Sequence, residues 1–283
     1  MKMKRLLALL LLAMMILPAM AEEEDEWSFI DLSGEPIIAY NNVEWNFPID
    51  MMDMDPTLVR LVNKSMFLPK DFTPADLKDV NKLKLDKDGN NTSGGIRMVD
   101  SSWQLQKDCL AALVQLADAA RMAGHELYLK SGYRSYYKQA VMYENRIKKY
   151  GYDDGWVTKP GASDHQTGLG CDVVPKSWTD RGMNEDMARE PETQWMAENC
   201  AQFGFILRYP KDKEDITEIN YEPWHLRYVG VEVATYIMDN GLCLEEFHDQ
   251  LSAAIEEFLA AGGPAYLVED FIQVSAEDHY SKY

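Results

Sequence analysis

Between residues 102 and 123, apolar side chains recur at intervals of three and four: Leu105, Cys109, Ala112, Leu113, Leu116 and Ala120. On an α-helix this spacing gathers them into one stripe, and Gly124 is a residue that closes a helix readily. Such a stripe needs a second layer to cover it. Short strand-like runs at residues 127–129, 169–174 and 225–229 can supply one. Between them lie helical patterns at 136–150, 192–203 and 244–260, the last closed by Gly262-Gly263-Pro264. Thr73-Pro74-Ala75-Asp76 reads as a further helix start, with Thr as cap and Pro at the first helical position. Residues 86–95, with Asp-Gly, Asn-Asn and Gly-Gly pairs, read as a loop. Helices and non-adjacent short strands intermix, without a Gly-rich nucleotide turn or an internal repeat. The expected fold class is α+β, a small, mostly antiparallel sheet flanked by helices.

The amino-terminal residues read as a secretion signal, residues 1–21. Lys2, Lys4 and Arg5 precede an apolar run at 6–17, and Ala19-Met20-Ala21 offers small residues for cleavage. The run is shorter than the roughly 18 apolar residues of a membrane span, and no other stretch is suited to one. No Cys follows it to carry a lipid. The expected location is therefore outside the cytoplasmic membrane: extracellular, cell wall or periplasm. Loss of the signal, with its three basic and no acidic residues, takes the net charge from −19 to −22. That excludes nucleic-acid binding through a basic face, and says more about solubility than about substrate. The four cysteines, Cys109, Cys171, Cys200 and Cys243, are scattered without Cys-x-x-Cys spacing. They are expected to be buried free thiols.

Of five histidines, two stand in loaded surroundings. One lies in Ser163-Asp164-His165-Gln166-Thr167-Gly168-Leu169-Gly170-Cys171-Asp172, the other in Tyr221-Glu222-Pro223-Trp224-His225-Leu226-Arg227-Tyr228. Zinc takes imidazole and carboxylate ligands, and a hydrolytic site keeps one position open for water. His165, Asp172 and His225 would supply three ligands, leaving Glu222 as base. Along a strand Gly170, Asp172 and Val174 share one face and Cys171 the other, which turns Cys171 away from the metal. Pro223 cannot donate to a ladder, so Glu222 belongs in an irregular turn with His225 at the strand start. The same residue types also occur as surface groups or hydrogen-bonded core residues, and the residues alone leave that alternative open. His125, His248 and His279 are expected to be ordinary surface or capping residues.

Several segments, in order, resemble a known family: Leu61-Val62-Asn63-Lys64, Ser131-Gly132-Tyr133-Arg134-Ser135, Ser163-Asp164-His165-Gln166-Thr167-Gly168, Asp172, Phe205-Ile206-Leu207-Arg208-Tyr209-Pro210 and Glu222-Pro223-Trp224-His225-Leu226-Arg227-Tyr228-Val229-Gly230. They are similar to those of the VanY-like D-alanyl-D-alanine carboxypeptidases, zinc enzymes that share a fold with D,D-dipeptidases, L,D-carboxypeptidases and the hedgehog signalling domain. The resemblance implies a zinc carboxypeptidase domain at 61–247, preceded by an acidic lead-in at 22–60 and followed by a helix end and tail at 248–283. It implies zinc on His165, Asp172 and His225, Glu222 as catalytic base, and substrate contacts from Arg134, Ser163 and Gln139. Asp164 stands where relatives often carry Glu. Tyr133 and Trp224 are candidates either for the pocket wall or for the core.

The function so implied is removal of the terminal D-alanine from peptidoglycan stem peptides ending in D-Ala-D-Ala, by a monomer with no partner but those peptides. One alternative keeps the fold and changes the bond, as an L,D-carboxypeptidase on tetrapeptide stems or a D,D-dipeptidase. Another is a non-catalytic wall-binding or signalling module that retains zinc for structure. Glu222 separates the two classes, because such a module has no need of an acid beside the metal.

Overall fold

The computed structural model describes residues 43–100 and 102–273. The signal at 1–21, most of the acidic lead-in and His279 lie outside the described residues. By contacts the chain divides into two compact units, one formed by residues 1–51 with 249–272, the other by 52–248 with 273–283. In the described part of the first, the Trp45 indole donates to Ile49 O at 2.8 Å and meets the Phe258 ring edge-on at 5.7 Å.

The second unit carries a five-stranded sheet. Its strands are β2 (Arg97–Met98), β4 (Leu127–Ser131), β5 (Gly170–Pro175), β6 (Phe205–Leu207) and β7 (His225–Tyr228), in the order β2-β4-β5-β7-β6. Only the β2–β4 pair is parallel, so the α+β expectation holds. Helix α1 (Lys107–Met122) lays Cys109, Ala112, Leu113, Leu116 and Ala120 against Leu127, Leu129, Cys171, Val173, Phe205 and Leu226. Burying each Leu there contributes roughly 1.5–3 kcal/mol. The opposite sheet face carries Asp172 and also Val174, which packs with Trp178, Met187 and Trp224. Five further helices follow: α2 (Tyr136–Tyr150), α3 (Pro191–Asn199), α4 (Glu214–Thr217), α5 (Val231–Asp239) and α6 (Leu244–Ala260). All four cysteines are free and buried.

The expected helix at 102–123 begins only at Lys107. Residues 104–106 form β3 (Gln104–Gln106), which pairs antiparallel with β1 (Leu77–Asp79). Gln106 then caps α1, its side-chain oxygen accepting from Asp108 N at 2.7 Å and Cys109 N at 3.2 Å. Leu105 is fully buried, but from the strand. That ladder also explains why no helix starts at Thr73: residues 77–79 find backbone partners in 104–106 that a helix would forfeit. The pattern at 192–203 tightens into a 3-10 turn at Cys200–Phe203 before Gly204 closes it with φ 80°. Helix α5, read as nothing from sequence, opens Val-Glu-Val, a period-two pattern that hides its helical stripe. His248, expected at the surface, is buried on α6, and His125 is half-buried against the Trp195 ring.

Among the largest fully buried side chains are two arginines, Arg208 and Arg227. Both grip Asp164, which is itself without solvent contact. Arg208 Nε donates to Asp164 Oδ2 at 2.7 Å and its two terminal nitrogens reach Glu245 at 2.7 Å each. Arg227 Nη1 donates to Asp164 Oδ1, and its Nη2 to the carbonyls of Leu58 and Arg60 at 2.8 Å. Burial pushes the Asp164 carboxyl up, but Arg208 and Arg227 outweigh it and hold the pKa at about 2. Asp164→Ala would leave two buried guanidiniums without their counter-charge, a loss of about 3–5 kcal/mol. The urea-unfolding midpoint should fall clearly at unchanged slope, and a midpoint equal to that of the parent would contradict the assigned role.

Candidate active site

His165 sits on a single 3-10 turn, Asp164–Thr167, that Gly168 closes with φ 71°. Its neighbour Gly170 is required by space, since a Cβ there would lie 2.9 Å from the Asp164 backbone. Asp172 follows on β5, where register places it directly opposite His225 of β7. Glu222 precedes that strand in a turn: its N–H donates to Tyr209 O at 3.2 Å, and its carbonyl accepts from His225 N at 3.1 Å. The irregular turn expected around Pro223 is therefore present. Alternation on β5 sends Cys171 into the core beside Cys109, away from the site.

His165, Asp172 and His225 each bring a ligand-type atom within 4.8 Å of the others, and all are buried. His165 Nε2 is 3.4 Å from Asp172 Oδ2, and His225 Nδ1 is 3.3 Å from both Asp172 Oδ1 and Glu222 Oε2. The other nitrogen of His165, Nδ1, lies 2.8 Å from Gly132 O. Donation to that carbonyl leaves the Nε2 lone pair facing the cluster, the arrangement that orients a metal-binding imidazole. Asp172 Oδ1 is buried with no hydrogen-bond partner. Buried polar atoms are rarely left so, and a divalent cation among these groups would satisfy it. The residues fit such an ion.

The electrostatics agree. Burial pushes the Asp172 carboxyl up, yet His165 and His225 draw it far below the usual carboxylate range. Burial also opposes a proton on His225, but the Asp172 and Glu222 carboxylates 3.3 Å from its Nδ1 raise its pKa to about 10. A cation bound here would displace that proton, since ligands bind metals deprotonated. Burial raises the Glu222 carboxyl, with His225 partly offsetting it.

These groups open into a cleft of about 350 Å³, lined also by Arg134, Gln139, Ser163, Tyr209 and Trp224. All seven residues singled out from the sequence meet there. Arg134 follows β4, with its N–H on His165 O at 3.1 Å. Its Nη1 donates to Gln139 Oε1 at 2.8 Å, its Nη2 to Ser131 Oγ at 3.3 Å, and Nη2 lies 4.0 Å from Asp172 Oδ2. Gln139 donates from Nε2 to Thr158 O at 2.6 Å and to Thr158 Oγ1 at 3.1 Å. Its amide thereby aims Arg134. Tyr133 lines a separate hollow with Trp103, Gln104 and Lys138, while Trp224 forms a wall, stacked on Trp156 at 6.2 Å and 15°.

Tyr209, in the Phe205–Pro210 segment, stands beside the cluster. Its hydroxyl reaches Asp164 Oδ2 at 3.4 Å and its ring meets His225 at 5.0 Å. The outer walls, including Met142, Arg146, Trp156 and Asn184, carry no local signal in the sequence.

The family profile for VanY, described as D-alanyl-D-alanine carboxypeptidase, matches residues 102–231. YodJ of Bacillus subtilis (strain 168), a carboxypeptidase by assignment, is 36% identical over 221 residues, covering 75% of this chain and 74% of its own. Among solved structures, the LdcB LD-carboxypeptidase superposes with a TM-score of 0.60 at 37% identity, covering 69% of this chain and 87% of LdcB. The vancomycin-resistance D,D-pentapeptidase VanY, solved with Zn(II), gives 0.50 at 32% identity, covering 68% and 98%. On these likenesses the chain belongs to the VanY family of D-alanyl-D-alanine carboxypeptidases.

Proposed function

We propose that this protein is an exported zinc carboxypeptidase that removes the terminal D-alanine from peptidoglycan stem peptides ending in D-Ala-D-Ala. The observation that carries the reading is the buried Glu222 carboxylate beside the His165–Asp172–His225 cluster, 3.3 Å from His225. A module that kept metal for structure alone would have no use for a second, desolvated acid there, so Glu222 argues against the non-catalytic alternative. The catalytic domain is taken as residues 61–247. The leader at 1–21 delivers it, as a monomer, to the compartment where stem peptides are exposed.

His165, Asp172 and His225 would hold zinc, the metal found with the VanY pentapeptidase. Bound zinc supplies Lewis acidity, making water acidic enough to deprotonate near neutral pH and polarising a carbonyl. Glu222 takes the proton of the attacking water. As the scissile C–N bond breaks, it passes that proton to the departing amine of D-alanine, and the oxygen stays with the new carboxylate. Proton transfer of this kind contributes about 10² to 10⁴-fold. A carboxyl raised by burial suits the role, since its basicity moves closer to working pH. Arg134, held on its far edge by Gln139 and Ser131, presents its guanidinium to the substrate's terminal carboxylate or to the developing oxyanion. Ser163 lines the cleft, and its hydroxyl makes no hydrogen bond among the described residues.

A second reading, an L,D-carboxypeptidase acting on tetrapeptide stems, is favoured by the likeness to LdcB. Purified pentapeptide and tetrapeptide stems, digested in parallel and followed by mass spectrometry, separate the two. Loss of one alanine from the pentapeptide alone supports the first.

Purified without chelator, the protein should contain one zinc. His165→Ala and His225→Ala should each abolish it, because a three-ligand site does not survive loss of a ligand. Elemental analysis is the check, and a metal-free parent protein would refute the ligand set. Glu222→Gln should keep zinc and fold while turnover falls at least a hundredfold. Retention of more than a tenth of parental activity would assign the base elsewhere. Finally, a stem peptide amidated at its terminal carboxyl should be cleaved at least tenfold less efficiently than the free acid, because the buried guanidinium loses its partner. Equal cleavage would indicate an endopeptidase.

A further inference from the structure

The cleft holds a second guanidinium to which the reaction above assigns nothing. Arg146 lines it from the side of α2 that also carries Gln139 and Met142, positions spaced by three and four residues and so on one face. One edge of the group is fixed. Nε donates to Asp154 Oδ1 at 3.0 Å and Oδ2 at 2.9 Å, and Nη2 to Oδ2 at 2.6 Å. The Tyr150 ring backs the guanidinium at 4.3 Å. Nη1 has no hydrogen bond among the described residues, and the side chain keeps 28% exposure. A guanidinium fixed on one edge, supported on one face and open on the other edge can receive an anion with little further ordering.

Its position along the helix sets what it can reach. Gln139, which carries Arg134, stands seven residues before Arg146, a displacement of about 10 Å at 1.5 Å per residue. An extended peptide advances roughly 3.3–3.6 Å per residue. A substrate whose carboxyl end lies at Arg134 and whose body follows α2 therefore passes Arg146 two to three residues upstream. In a pentapeptide stem those residues carry the other acids of the molecule: the α-carboxylate of a γ-linked D-glutamyl residue at the second position, and the side-chain carboxylate of a diamino-dicarboxylic acid at the third. Amidation of the former, or lysine at the latter, removes the charge.

We propose that Arg146 is a specificity-determining residue that binds a carboxylate carried by the stem two to three residues before its carboxyl end. This rests on the reading of the cleft as a stem-peptide site. Stems that keep that carboxylate are then preferred over stems in which it is amidated or replaced.

The test uses the zinc-loaded protein and two matched pairs of pentapeptide stems. One pair differs by carboxylate against amide at the second residue, the other by a diamino-dicarboxylic acid against lysine at the third. In the parent protein, kcat/KM should favour the acid in one pair by at least tenfold, chiefly through KM, and that pair identifies the source of the carboxylate. Arg146→Gln should bring that ratio to within about twofold of unity, and Arg146→Lys should restore part of it. An equal fall on all four peptides in Arg146→Gln, with the ratio unchanged, would mean that Arg146 only supports the fold and would overturn the proposal. So would parent ratios near one in both pairs. An N-acylated D-Ala-D-Ala dipeptide, which has neither upstream acid, separates this from the underlying reading. If the parent protein cleaves it without discriminating among the stems, only the role of Arg146 fails; if it cleaves neither it nor the stems, the carboxypeptidase reading fails too.

Discussion

The Asp164 carboxylate is closed off from solvent, and each of its oxygens is held by a different buried arginine, Oδ2 by Arg208 and Oδ1 by Arg227. Those arginines reach well beyond it. Arg208 continues to Glu245 and to Val62 O, and Arg227 to the carbonyls of Leu58 and Arg60. One carboxylate thus ties the turn carrying His165 to the sheet, to the start of α6 and to the chain that enters the domain. A charge taken out of water is costly unless its partners are fixed and complete. Here that cost acts as a constraint: any displacement of the His165 turn uncovers a charge that nothing else can satisfy. The neighbouring residue is therefore held in place by electrostatics, whereas the cleft walls are held mainly by packing.

The second constraint is register. Asp172 stands opposite His225 because β5 and β7 pair in one frame, and a slip by one residue would exchange Asp172 for Cys171 or Val173. The apolar side chains of the alternate face prevent the slip. Cys171, Val173 and Leu226 are fully buried under α1, so a shifted frame would turn them toward the acids and place Asp172 in an apolar layer. The stripe on α1 and the metal-type cluster lie on opposite faces of the same strands. Packing on one face in this way sets the geometry on the other.

Much of this is legible in the sequence because it is local. The turn-strand run from Ser163 to Asp172 and the turn-strand run from Glu222 to Tyr228 each contain their own geometry, set by Gly168, Gly170 and Pro223. The alternation that sends Cys171 inward and Asp172 outward needs only the strand period. The parts that were not legible depend on distant partners. Leu105 matches the helical stripe perfectly well, yet it belongs to β3 because Lys78 of β1 pairs with it across 27 positions. Helix α5 is concealed by its opening Val-Glu-Val, and the roles of Arg208, Arg227 and Tyr209 follow from a shared contact with Asp164 that no spacing reveals. The outer cleft is the extreme case. Trp156, Trp224 and Arg146 line it together although nothing in their local sequence links them.

The protein is strongly acidic, with a formal net charge of −19, while the proposed substrate is itself an anion. Long-range attraction therefore has no part in bringing the two together. At physiological salt, interactions between exposed charges fade over about 8 Å, and what an approaching carboxylate senses is set by the groups within that distance. Inside the cleft those groups include two arginines, Arg134 with 12% and Arg146 with 28% of the side chain exposed. Both are fixed along one edge by neutral or acidic partners. Discrimination therefore passes to the few short-range contacts that survive screening. Under that division of labour, recognition should depend weakly on ionic strength compared with proteins that capture their ligands through a charged face.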